Sequence, residues 1–181
     1  MRPSPALTEL EGCVLGEIAL RQPCTAYVVR REFLQSLTPH WSGSAGAVYP
    51  LFRRLEARGY IRAKSHATGR RQSKHYVVTR AGRAALARWI GPPLTRESAG
   101  VPMDPLRSRL RFLQFVPAAR RRKFVASAIR ETESWLAELS QVGSERSPAH
   151  GHFYGLILRG AIAMMQSRID WLREIGGAIE R

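Results

Sequence analysis

A mainly α-helical fold with one small β-hairpin is what the sequence predicts, with an N-terminal unit of helices closed by the hairpin and a C-terminal unit of helices alone. Three observations lead there. Apolar residues recur at helical spacing through most of the chain. Strand-like segments rich in β-branched and aromatic residues are confined to residues 60–65 and 72–78, with Gly69 suited to the turn between them. Residues 95–103 are rich in small and turn-forming types and separate the two halves.

The elements follow in order. Residues 1–6 read as a frayed end. Thr8-Glu9-Leu10-Glu11 has the Thr-x-x-Glu form in which hydroxyl and carboxylate satisfy the free N–H groups of a helix start, and Leu7, Leu10, Val14, Leu15 and Ile18 then repeat helically. Arg21-Gln22-Pro23 breaks that helix, since proline has no N–H to donate. Cys24 or Thr25 starts a second one, with Ala26, Val29, Phe33, Leu34 and Leu37 on one face, closed by Thr38-Pro39. Ser42 and Ser44 can each cap a third helix, whose apolar stripe is Val48, Leu51, Phe52 and Leu55. Pro50 falls in its first turns, where missing N–H groups matter least, and should bend the start slightly. Gly59 supplies the left-handed residue that ends it. After the hairpin, Thr79 caps a fourth helix through Ala84, Leu86, Trp89 and Ile90, stopped by Gly91-Pro92-Pro93. Helix, helix, helix, hairpin, helix is the order of a winged helix-turn-helix.

The expected division is a winged helix-turn-helix over 1–91, a linker over 92–104 and a helical domain over 105–181. Helices are expected over 105–115, 117–141 and 149–175. The middle of the last, Leu156 to Met165, is apolar on almost every face and needs cover on several sides. Pairing of two copies supplies it, because a two-fold interface buries the same patch twice. Leu156, Ile157, Gly160, Ala161, Met164, Met165 and Trp171 are the candidate residues of this C-terminal dimerisation surface.

Composition narrows the partner. The 181 residues are 44% hydrophobic and 24% charged, as in ordinary globular proteins, but Lys+Arg 29 against Asp+Glu 14 leaves a net charge of +15. That balance points to a polyanion. Residues 53–90 hold eleven basic side chains and a single acid, Glu56, so the charge is concentrated at the third helix and the hairpin. Cys13 and Cys24 lie among apolar helix positions and read as reduced thiols, which suits a reducing compartment. No charged-then-apolar leader opens the chain and no run approaches the ~18 apolar residues of a span, so a cytoplasmic protein without a membrane partner is expected.

Chemistry of the enzymatic kind finds no anchor. The five histidines show no metal-binding spacing, there is no Cys-x-x-Cys, and glycine-rich nucleotide loops and nucleophile elbows are absent from the sequence. No cofactor, metal or catalytic residue is therefore expected. Binding chemistry is better represented. Tyr49 on the polar face of the third helix offers a ring to a thymine methyl and a hydroxyl to a base or phosphate, and Ser42 and Ser44 suit backbone phosphates. Arg53 and Arg54 have the planar fork that pairs with guanine or phosphate. Lys64, Arg70, Arg71 and Lys74 cluster around the hairpin turn, where a wing meets the backbone or the minor groove.

Two stretches carry a resemblance. Trp41-Ser-x-Ser-x-Gly-Ala-Val-Tyr-Pro-Leu-x-Arg-Arg-Leu-Glu-Ala-Arg-Gly-Tyr-Ile61 and Lys74-x-Tyr-x-Val-Thr79-x-Ala-Gly-Arg-Ala-Ala-Leu86 resemble the PadR family of transcriptional regulators, and the likeness extends from about Thr8 to Ile90. The tail is similar in layout to the longer-tailed branch. The resemblance implies a dimeric winged-helix protein bound to double-stranded DNA, usually a repressor, paired through its C-terminal helices and often released by a small-molecule effector. Tyr49 and its neighbours would read the groove, and Lys64, Arg70, Arg71 and Lys74 would form the wing. Val28 and Arg80 stand where many relatives carry an acid, so the extra positive charge favours nonspecific binding and no relative's operator preference transfers directly.

The expectation is thus a homodimer on a roughly palindromic operator, half-sites about one helical turn (~34 Å) apart. A second reading, from another class, is an interaction or scaffold protein that uses a winged fold for protein contacts.

Overall fold

The computed structural model describes residues 6–36, 41, 45–68, 71–142 and 151–180. The chain forms two compact units, Met1–Ala99 and Gly100–Arg181. Helices dominate both, with one two-stranded sheet in the first.

In the first unit, α1 (Glu9–Arg21) opens on the expected reciprocal cap. The Glu11 amide donates to Thr8 Oγ1 at 3.2 Å and the Thr8 amide donates to Glu11 Oε2 at 3.0 Å. Thr25, not Cys24, caps α2 (Ala26–Leu34), accepting the Val28 amide at 3.3 Å. Cys24 is used otherwise. It forms a β-bridge with Tyr76, its N–H donating to the Tyr76 carbonyl at 3.2 Å and its carbonyl accepting the Tyr76 N–H at 2.7 Å. Gln22 Oε1 takes the Val78 N–H at 2.9 Å, so the turn between α1 and α2 acts as a third, irregular strand beside the hairpin. Exposed strand edges are reactive pairing surfaces, and this one is covered.

A 3₁₀ turn (Ala45–Ala47) runs into α3 (Val48–Ala57). Pro50 occupies the third position of α3, and no side chain caps the preceding Ala47. The capping role proposed for Ser42 and Ser44 lies outside the described residues, as does the turn glycine, Gly69. Strands β1 (Ile61–Thr68) and β2 (Arg71–Val78) pair antiparallel from Ile61↔Val78 to Thr68↔Arg71. Both run beyond their expected bounds toward the turn, because backbone pairing continues through polar residues whose side chains give no strand signal.

Thr79 joins the hairpin to α4 (Arg80–Ile90). Its hydroxyl accepts the Gly82 amide at 3.0 Å and donates to the Gly59 carbonyl at 2.7 Å. Two glycines allow the close approach around α4. A Cβ on Gly12 would lie 2.2 Å from the Trp89 indole, and one on Gly82 would lie 2.0 Å from the Tyr60 carbonyl oxygen. The core beneath collects Val14, Leu15 and Ile18 of α1, Val29 and Phe33 of α2, Val48, Leu51, Phe52 and Leu55 of α3, and Ile61, Val78 and Ala85. Full burial of each large aliphatic side chain contributes about 1.5–3 kcal/mol. A short α5 (Arg96–Ala99) falls inside the stretch expected to be linker.

The second unit begins with α6 (Pro105–Arg111), followed by a 3₁₀ turn (Leu113–Phe115), where one continuous helix was expected. Asp104 caps α6, accepting the Leu106 amide at 2.9 Å through Oδ1, and its Oδ2 receives Arg168 Nη2 at 2.7 Å. The long helices α7 (Ala118–Val142) and α8 (Tyr154–Glu180) pack together. They run antiparallel: Val125, early in α7, touches the Gly176 position late in α8, and Glu133 meets Arg173 at 2.8 Å. α8 lies five residues further along the chain than its pattern suggested at both ends. Val125, Thr132, Leu139, Leu158, Ile169 and Leu172 are buried.

Candidate nucleic-acid interface

Helix α3 is shaped by its own two faces. Val48, Leu51, Phe52 and Leu55 are buried against α1 and α2, while Tyr49, Arg53 and Arg54 are exposed, Tyr49 at 47%. Its end is rigidly defined. Gly59 adopts φ +69°, its N–H donates to the Glu56 carbonyl at 2.9 Å, and the Tyr60 N–H reaches back to the Leu55 carbonyl at 2.9 Å. That pair of bonds fixes the direction in which β1 leaves the helix. Phe52 meets the edge of Tyr76 at 4.9 Å, so the buried face of α3 also packs on the hairpin. Burial pushes the Tyr76 hydroxyl pKa up, with a further contribution from the Glu56 charge.

The arginines in α3 and at its C-cap are not equivalent. Arg58 is turned inward, its guanidinium 4.7 Å from the centre of the Tyr60 ring and its Nη1 donating to Glu11 Oε2 at 3.2 Å. Arg54 Nε lies 3.6 Å from Glu11 Oε1 although the side chain is 58% exposed. Arg53 makes no hydrogen bond or ion pair among the described residues. Glu11 thus holds two members of a cationic row that sequence reasoning treated as uniform; its capping pattern was visible, but not a tertiary partner 47 residues downstream.

The hairpin separates two residues that the sequence placed together. Lys64 pairs with His75 and Lys74 with Ser65, so neighbouring register positions put Lys64 and Lys74 on opposite faces of the ribbon, both exposed. Arg62 shares the Lys64 face and is exposed as well; its charge is evident in the sequence, its place at the site only in the register. Strand alternation was the available signal. Arg71 occupies the register position opposite Thr68, its side chain outside the described residues, and Arg70 lies wholly outside them.

Other chemistry is sparse. Among the described residues no group of three or more His, Cys, Asp or Glu is placed to hold a metal, and no helix is long and apolar enough to cross a membrane. Cys13 and Cys24 are free thiols, both pushed up to about 11, by burial first. A cavity of ≈ 690 Å³ opens in the first unit between Leu7 and Glu9 on one side and Tyr60, Arg88, Trp89 and Leu94 on the other. In the second unit Leu156, Ile157 and Met164 on α8 are 56%, 63% and 61% exposed, and a Cβ on Gly160 would meet nothing within 4 Å.

Comparison with known proteins places this geometry. A probable transcriptional regulator of Mycobacterium tuberculosis is 29% identical over 174 residues, covering 88% of this chain and 92% of the relative. The structure of Bacillus subtilis PadR in complex with operator DNA superimposes with a TM-score of 0.76 at 20% identity, over 95% of this chain and 99% of that one. The same Bacillus subtilis protein in complex with p-coumaric acid gives 0.70 at 17% identity, over 97% and 99%. Both likenesses establish the fold, a winged helix with a helical tail. The model of the transcriptional regulator PadR-like family matches residues 14–88, from the core of α1 through the hairpin to the last turn of α4, so that segment is similar to this family.

Proposed function

We propose that this chain is a transcriptional regulator of the PadR type and not an enzyme: a homodimeric, sequence-specific DNA-binding repressor of the cytoplasm. One observation carries the reading. A helix anchored by four buried apolar residues presents Tyr49 and Arg53 outward, next to a hairpin whose base is bonded to the scaffold and whose two faces carry Arg62, Lys64 and Lys74. In this reading α3 enters the major groove, the wing meets adjacent phosphates, and Ser42, Ser44, Arg70 and Arg71 extend these contacts. The apolar surface of α8, with Leu156, Ile157, Gly160 and Met164 exposed and Ala161, Met165 and Trp171 half-buried, pairs with a second copy and sets two groove helices about one turn (~34 Å) apart. A small-molecule effector that lowers operator affinity completes the scheme; the Bacillus subtilis neighbour with p-coumaric acid supports it by analogy.

Fluorescence anisotropy with the chain's own upstream sequence against random duplex tests the reading. Tighter binding to the upstream duplex is expected. Equal affinity for both would favour a winged-helix scaffold. Replacing Arg70 and Arg71 by alanine should flatten the dependence of log K on log salt by about 0.9 per lost phosphate contact; an unchanged slope removes the wing from the interface.

A further inference from the structure

Glu11 is the buried acid of the first unit among the described residues, 6% exposed, and it is shared between three residues, Thr8, Arg54 and Arg58. Its Oε2 accepts the Thr8 N–H at 3.0 Å and Arg58 Nη1 at 3.2 Å, capping α1 and fixing the end of α3. Arg58 also lies against the Tyr60 ring and donates to the Tyr60 hydroxyl at 3.3 Å, so it is held from two sides. That leaves Glu11 Oε1 facing Arg54 Nε at 3.6 Å. A carboxylate oxygen and a phosphate oxygen present the same acceptor to a guanidinium. The Glu11 carboxylate, only 8% exposed, is less screened by salt than a surface acid. A duplex phosphate approaching Arg54 meets a guanidinium whose charge Glu11 already offsets at 3.6 Å, while the adjacent Arg53 has no such acid among the described residues.

We propose that Glu11 withholds Arg54 from the duplex, so that Arg53 is the member of this pair that neutralises phosphate. Glu11 is then a positioning residue that sets how many cations α3 offers to DNA. The inference rests on the DNA-binding reading above and revises one of its candidate contacts.

The measurement is the slope of log K against log salt on a random duplex, with the upstream duplex as a second probe. Arg53→Ala should lower the slope by about 0.9, the loss of one phosphate contact, whereas Arg54→Ala should leave it at the wild-type value. Glu11→Gln should steepen it by about 0.9, and Glu11→Gln/Arg54→Ala should restore it. A purely structural role for Glu11 would weaken binding without steepening the slope, and Arg54→Ala would not reverse the change. Equal loss of slope in Arg53→Ala and Arg54→Ala overturns the proposal, as does a folded Glu11→Gln protein with an unchanged slope. If Glu11→Gln does not fold, the two exposed arginine variants decide alone. Wild-type protein that binds neither duplex sinks the DNA-binding reading itself, a different result from equal slopes in a protein that does bind.

Discussion

The two units of this chain solve burial differently. The first closes on itself: four helices and the hairpin surround a core in which Val14, Leu15, Ile18, Val29, Val48, Leu51 and Leu55 are 0% exposed. The second buries Val125, Leu139, Leu158, Ile169 and Leu172 between two long helices, yet leaves Leu156, Ile157 and Met164 more than half exposed on the same α8. Two antiparallel helices cover each other along one seam only, so a helix that is apolar all round keeps an open side. A self-sufficient unit tolerates being alone. A half-covered one gains from a second copy.

The largest expected effect separates the units most sharply. Leu55→Ala should cost about 2–5 kcal/mol of stability, because a rigid core collapses poorly around the missing atoms. Urea unfolding should show that loss to be independent of protein concentration if the first unit folds by itself. A concentration-dependent loss would erase the contrast. Next comes Ile157→Glu with Met164→Glu. Sedimentation should report a monomer, and operator affinity should fall by roughly 10²-fold as two tethered half-sites become independent. A dimer that survives both charges would mean that the exposed face of α8 has another purpose.

Thr79→Ala should cost about 1 kcal/mol, since the helix cap is lost along with the bond to Gly59. Thermal unfolding of the first unit should register it while the second is unmoved. The smallest effect belongs to the thiols. Burial raises Cys13 and Cys24 from 9.0 to about 11, so folding favours their protonated forms. The resulting stabilisation is complete below pH 9 and drains away between pH 9 and 11. Melting temperature should therefore fall more steeply across that window in the native chain than in Cys13→Ala/Cys24→Ala, and iodoacetamide at pH 7 should label the folded protein far more slowly than the unfolded one.

Local chemistry was legible in the sequence wherever it acts over a few residues. Thr8 with Glu11, Thr79 and Gly59 each announce a helix end, and each sits where its pattern placed it. The stripe of Val48, Leu51, Phe52 and Leu55 likewise identified the buried face of α3. Readings failed where distant segments decide. Cys24 looked like one more apolar helix residue, yet it pairs with Tyr76, because strand edges recruit whatever extended backbone lies beside them. Lys64 and Lys74 looked like one cluster until the register set them on opposite faces. Arg53 and Arg54 are chemically identical neighbours, and only the approach of α1 distinguishes them.

The bonding of Gln22 and Cys24 to the hairpin has a mechanical consequence. Three hydrogen bonds, two between the backbones of Cys24 and Tyr76 at 2.7 and 3.2 Å and one from the Val78 amide to the Gln22 side chain at 2.9 Å, clamp the root of β2 to the bend between the first two helices. The wing is therefore no hinged flap. Force applied at either the bend or the ribbon is transmitted to the other with little slack, and the amide protons of Tyr76 and Val78 should rank among the slowest to exchange with deuterated solvent.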